Sequence, residues 1–141
     1  MIGGGGEKRT LRLVAQYADK CNVTGDVSTL TRKIEVLHRH CADVGRDPAE
    51  VDVTWMSPLI LTTSDANTAE MRAILADSGS AEEIAGFTVG QPHEIPELVA
   101  KHIAAGADEV IFSFAFADAV GISAVGEAFG LDGVSRPSSG V

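Results

Sequence analysis

The chain has 141 residues, enough for one domain with a core of its own. Apolar residues make up 45% and charged residues 22%, a globular balance that excludes disorder throughout. The net charge of −9 repels phosphate backbones, and no basic stripe with interleaved aromatics occurs, so nucleic acid is not an expected partner.

The chain opens on a strand stub, Met1-Ile2, and then four consecutive glycines, Gly3 to Gly6. A helix follows, with Leu11, Val14, Ala15 and Ala18 on one face. Cys21-Asn22-Val23 forms a short strand closed by the turn residues Thr24-Gly25-Asp26. Leu30, Ile34, Leu37, Cys41 and Val44 then recur every three or four residues, which predicts an amphipathic helix. Gly45 is its natural C-terminal cap, and Asp47-Pro48 blocks continuation.

Residues 51–63 read as the best strand, through Val53, Trp55 and Leu59-Ile60-Leu61. Pro58 within it predicts a bulge or a break in pairing. Ser64-Asp65 caps a helix through Met71, Ile74 and Leu75, broken by Ser78-Gly79-Ser80. A short segment, Glu82 to Ala85, precedes Gly86-Phe87-Thr88-Val89-Gly90. Gln91-Pro92 opens a helix with Ile95, Leu98, Val99 and His102 on its inner side, Pro96 in its first turn and Gly106 at its end. Residues 109–114 form a near-continuous apolar run, as in a parallel strand covered on both faces. A last helix spans about Val120 to Phe129, and the Gly/Ser/Pro-rich tail from Gly130 to Val141 is expected to be disordered. Residues 1–129 thus read as one α/β unit of about four βα repeats, which fits either a small open sheet or half of a barrel.

The glycine run is the most informative feature. It stands between a strand and a helix, where backbone can approach a ligand closely and a helix N-terminus suits a phosphate. Lys8 and Arg9 add positive charge, while a ligand-free strand–helix turn is the competing reading. The dinucleotide pattern fails because Lys8 or Arg9 falls where its third glycine belongs, and no Gly-Lys-Ser/Thr follows for a Walker loop. What remains is a barrel-type phosphate site at the C-terminal ends of the strands.

Nothing else announces a reaction. His38 and His40 lie two apart on a helix and cannot share a metal, so no metal site is expected. His93 follows Pro92 at a helix start on the expected catalytic face, and His102 reads as a helix-flank residue. Trp55 reads as core packing rather than a ring-stacking platform. Ser113 and Asp118 lie near the end of the last strand without an assignable role, so the catalytic residues are unknown. Cys21 and Cys41 form no C-x-x-C pair, which points to reduced thiols, with Cys41 buried. No membrane span or secretory leader is visible, and a cytoplasmic location is the expectation.

Residues 2–19 resemble the fifth strand, loop and helix of the luciferase-like monooxygenases, most closely the branch associated with the deazaflavin coenzyme F-420. Cys21-Asn22 stands where relatives carry Trp-Asn. Residues 40–48, His-Cys-Ala-Asp-Val-Gly-Arg-Asp-Pro, resemble a helix ending of that family. Residues 89–95 and 105–112 resemble its Gly-Thr-Pro helix and eighth strand, with Gln91 in place of Thr. The resemblance implies a TIM-type (β/α)₈ barrel, here its C-terminal half, and hydride or oxygen chemistry on coenzyme F-420 or FMN with a small-molecule substrate. It assigns the cofactor's phosphate side to Gly3, Gly4, Gly5 and Gly6, and with them Lys8, Arg9 and Asn22. Strands one to four, which supply much of the ring pocket, have no counterpart here, so half of the active site is expected to be missing. A half-barrel has open edges, so a homodimer or a complementary N-terminal half is the expected partner. The alternative is a catalytically incompetent remnant, or a small anion-binding module that dimerises.

Overall fold

The computed structural model describes residues 1–80, 84, 86–114 and 118–131. The segment expected at 82–85 falls almost wholly outside these residues, as does all but the start of the tail expected at 130–141.

Among the described residues, five parallel strands form one sheet: β1 (Ile2–Gly3), β2 (Lys20–Val23), β3 (Asp52–Leu61), β4 (Thr88–Gly90) and β5 (Glu109–Phe114). The α-helices between and after them are α1 (Thr10–Tyr17), α2 (Val27–Val44), α3 (Asp65–Ser78), α4 (Ile95–Ala104) and α5 (Ala119–Ala128). β4 was not expected as a strand. Three residues ending in glycine carry no readable alternation, and it exists because β3 offers a free edge there.

β3 organises the sheet. Thr54 and Trp55 pair with β2 on one edge and with β5 on the other. Leu59 pairs with Thr88 of β4 and with Phe114 of β5, so β2 and β4 share one edge of β3 in succession. Residues 56–58 of that edge pair with neither, and this is the break that Pro58 predicts. The ladder to β5 runs through Pro58 opposite Ser113 without a bulge.

The strand period of two assigns the faces. Val53 and Trp55 pack with Leu11, Val14 and Ala15 of α1 and Leu30, Leu37 and Cys41 of α2. Leu59, further along the same face, packs with Ile95 of α4 and Val125 of α5. Helices α1, α2, α4 and α5 thus cover one face, the winding of a barrel; an open doubly wound sheet carries helices on both. The opposite face holds Asn22, Thr54 and Met56.

Several sequence expectations are shifted. Val44 is exposed, and the inner face of α2 takes in Lys33 and Val36 instead. Ile74 of α3 is exposed, and Met71 and Leu75 are only half-buried. β5 is half-buried rather than covered on both faces, because Glu109, Ile111 and Ser113 point away from the helices. His102 is buried, as its place on the inner side of the helix pattern implies and against its reading as a flank residue. It stacks on Trp55 with ring centroids 3.6 Å apart, while the indole N–H donates to the Gly25 carbonyl at 2.7 Å.

The Gly-Arg-Asp-Pro segment has a structural job. Gly45 takes the left-handed conformation, φ 71°, that ends α2. The Arg46 guanidinium then donates to the carbonyls of Ala15 and Ala18, at 3.2 and 2.8 Å, at the C-terminal end of α1. Asp47 caps the 3-10 turn Pro48–Glu50 by accepting from Ala49 N–H. Among the described residues no helix is long and apolar enough to cross a membrane.

Candidate functional site

The glycine loop leaves the C-terminal end of β1. Gly4 has φ +126°, which a side chain would strain, and its N–H donates to the Asn22 carbonyl at 3.4 Å. A side chain on Gly5 would begin 2.5 Å from the Lys33 Nζ, and one on Gly6 would begin 2.9 Å from the Thr10 Oγ1. The run thus does more than turn the chain, since Gly5 and Gly6 keep clear a space that polar side chains border.

That space opens into a depression of about 620 Å³ bordered by Gly5, Gly6, Thr10 and four cations, Lys8, Arg9, Arg32 and Lys33. Glu7 is the one carboxylate among its lining residues, and it is ion-paired with Arg32. Four cations against one carboxylate is a positive spot on a chain of net charge −9. α1 begins here with Arg9 at the N-cap, no side-chain cap and no acidic residue in its first turn, so no side chain of that turn offsets the positive end of its dipole.

Of the residues expected from the sequence, Gly5, Gly6, Lys8 and Arg9 come together in this depression. Gly3 lies in β1, and Gly4 shapes the loop beside it. Asn22 does not line the depression. Its Oδ1 accepts from the Thr54 hydroxyl at 2.9 Å on the sheet face opposite the helices.

The sequence reading missed Lys33 and Arg32, which reach the loop from α2. Lys33 is 8% exposed and makes one long hydrogen bond, 3.5 Å, to the Thr24 carbonyl. Its signal in the sequence is only its place beside Ile34, one residue off the apolar stripe. Burial pushes the nearby Cys21 thiol up to about 11, and the pull of the Lys33 ammonium does not overcome it. Cys21 is therefore a neutral thiol near neutral pH.

Other polar groups at this end of the strands are engaged in capping. Asp26 caps α2, Ser64 caps α3 and Asp118 caps α5. Gln91 and Glu94 form a reciprocal box at the 3-10 turn before α4, and the Gln91 amide also donates to Asp65 at 2.7 Å. His93 and His38 are exposed, and the His40 Nε2 lies 2.8 Å from the Glu7 carbonyl. Among the described residues no group of His, Cys, Asp and Glu is arranged to hold a metal ion. A larger cavity, about 740 Å³, lies between Gly25, β4 and α4. Its inner wall is Trp55 and His102, which are stacked on each other.

No family model matches the chain, and no curated protein does. Solved structures do. The chain superposes on a long-chain alkane monooxygenase with a TM-score of 0.67 at 14% identity, over 99% of this chain and 42% of that one. A riboflavin lyase, solved with modified FMN and riboflavin, gives 0.66 at 9% identity over 92% and 41%. An F420-dependent secondary alcohol dehydrogenase, solved with an F420–acetone adduct, gives 0.65 at 16% identity over 87% and 47%. The chain therefore spans less than half the length of these proteins. At such identities the likeness is one of fold, and it agrees with the one-sided winding of the helices around a parallel sheet.

Proposed function

We propose that this chain, whose fold is part of a luciferase-like (β/α) barrel, belongs to an oxidoreductase that binds coenzyme F-420 or FMN by its phosphate. The observation that carries the reading is the cationic, glycine-lined depression at the C-terminal end of β1. Active sites of such barrels lie at that end of the strands. The residues fit a phosphate group. Gly5 and Gly6 let the Lys33 ammonium and the Thr10 hydroxyl come up to the loop, where a Cβ would displace them, and Lys8 and Arg9 stand exposed at the rim. Gly3 and Gly4 set the loop's path, and Asn22 belongs to the neighbouring sheet face.

A bound flavin or deazaflavin supplies hydride transfer, or with flavin monooxygenation, to a small-molecule substrate. The residues of this chain bind and orient the phosphate end. No side chain here is assigned a proton-transfer role. In this reading the ring pocket is completed by a further barrel half, from an N-terminal segment or a second copy, in the cytoplasm, where free buried thiols such as Cys21 and Cys41 are ordinary. One observation favours a second reading, an anion-binding module without chemistry of its own: Asp26, Ser64, Gln91 and Asp118 are all engaged in caps.

Calorimetric titration of the purified chain with FMN and with the deazaflavin separates the two. The oxidoreductase reading expects micromolar binding of at least one, lost when Gly4 is replaced by Val, whose side chain cannot take φ +126° without strain. Absence of binding to both leaves the module reading.

A further inference from the structure

Lys33 is an anomaly of charge. It lies on the inner face of α2 and is more than nine-tenths buried, yet no ion pair involving it exists among the described residues. Its ammonium has three donors and uses one, at 3.5 Å. A buried charge without a counter-charge is costly, and proteins that keep one normally pair it. The nearby acidic candidates do not fill that role. Glu7 is held by Arg32, and the Cys21 thiol stays protonated.

The geometry around the ammonium supplies the missing partner's position. The Nζ borders the depression and stands where a side chain on Gly5 would begin. Glycine at this position therefore leaves the ammonium tip in the loop. The start of α1, without a side-chain cap, faces the same depression through Arg9 and Thr10. A cation held by a buried stem loses less freedom on binding than the exposed Lys8 and Arg9 do.

We propose that Lys33 is the principal cation of this site, that it neutralises a phosphate group seated on Gly5 and Gly6, and that Gly5 is glycine to admit the ammonium. The inference rests on the glycine loop as the anion cradle and names the residue that gives it affinity. The ligand chemistry is a phosphate monoester, carried by a cofactor or present as free phosphate.

The test uses the whole chain and four probes: inorganic phosphate, FMN, the deazaflavin, and riboflavin, which lacks the phosphate. Melting temperature and calorimetry are read for the wild type, Lys33→Met, Lys33→Gln and Gly5→Ala. Phosphate is expected to raise the melting temperature of the wild type and not of Lys33→Met. Without ligand, Lys33→Met is expected to melt above the wild type, because it removes a buried unpaired charge. FMN affinity is expected to fall about tenfold or more in Lys33→Met, as for loss of a hydrogen bond to a charged group, with riboflavin affinity unchanged. Gly5→Ala keeps the lysine but pushes its tip aside, and is expected to lose phosphate affinity while remaining folded. If Lys33→Met does not fold, Lys33→Gln and Gly5→Ala carry the same comparison.

Equal phosphate affinity in wild type and lysine variants overturns the proposal, as does a wild type whose melting is indifferent to phosphate. Phosphate protection that depends on Lys33, without binding of FMN or the deazaflavin, keeps the anion site and removes the flavin reading. FMN bound equally well by wild type and Lys33→Met keeps the flavin reading and removes this one.

Discussion

Asp26 shows how one side chain ties turn chemistry to pH. The Thr29 hydroxyl and N–H, with the Ser28 hydroxyl, hold its carboxyl below the usual carboxylate range. A group depressed in the folded state stabilises fully above its unfolded pKa and loses that contribution as pH falls through the folded one. The cap of α2 is therefore at full strength at neutral pH and fails on acidification. Asp26→Asn keeps a capping acceptor but cannot titrate, so its melting temperature should fall less steeply than the wild type's on the acid side. Asp26→Ala should cost about 1 kcal/mol at neutral pH, as for other lost caps. An acid limb identical in wild type and Asp26→Asn would remove the argument. The sequence showed Thr24-Gly25-Asp26 as a turn before an amphipathic run, and the structure made Asp26 the cap of that run. The burial of Lys33 was not legible there, because a lysine beside a stripe position reads as solvated, and only the fold places its tip against Gly5.

At the scale of elements, the joint between α1 and α2 depends on Arg46. Its guanidinium satisfies carbonyls at the end of α1 that helix geometry leaves unpaired, and it reaches Glu50 by side chain and backbone. Arg46→Met should lower unfolding stability by about 2 kcal/mol, read as a lower urea midpoint, because several hydrogen bonds to one charged group are lost. Arg46→Lys should recover little, since an ammonium cannot span the same carbonyls as a planar fork. A lysine variant as stable as the wild type would show that charge alone suffices. The resemblance of residues 40–48 to a family helix ending is thus a statement about folding: these residues join two helices and do not line the glycine-loop depression. Pro58 belongs to this scale too. Its effect was readable as interrupted pairing, but which edge is interrupted depends on β2 and β4 sharing one side of β3.

Across the whole molecule, burial is unequal. The cluster around α1, α2, β2 and β3 contains Leu11, Leu30, Leu37 and Trp55, whereas α3 buries only Thr68 and α5 only Val125. Amide hydrogen exchange should therefore be slowest in β2, β3 and the inner turns of α2, and fastest among the helices in α3 and α5. Protection of α5 equal to that of α2 would contradict this division.

The sequence alone determined the alternation of strands and helices, the caps at Gly45 and Ser64, the turn at Asp26, and the glycine loop as the feature of interest. These are local properties, set by periodicity, by turn chemistry and by the backbone freedom of glycine. Only the tertiary structure decided that α1, α2, α4 and α5 lie on one face of the sheet, which separates barrel winding from an open sheet that the same alternation permits. It also stacked His102 on Trp55, added β4, and brought Lys33 from another helix to Gly5. Each of these depends on contacts between residues distant along the chain, and a one-dimensional pattern does not encode which distant surfaces meet.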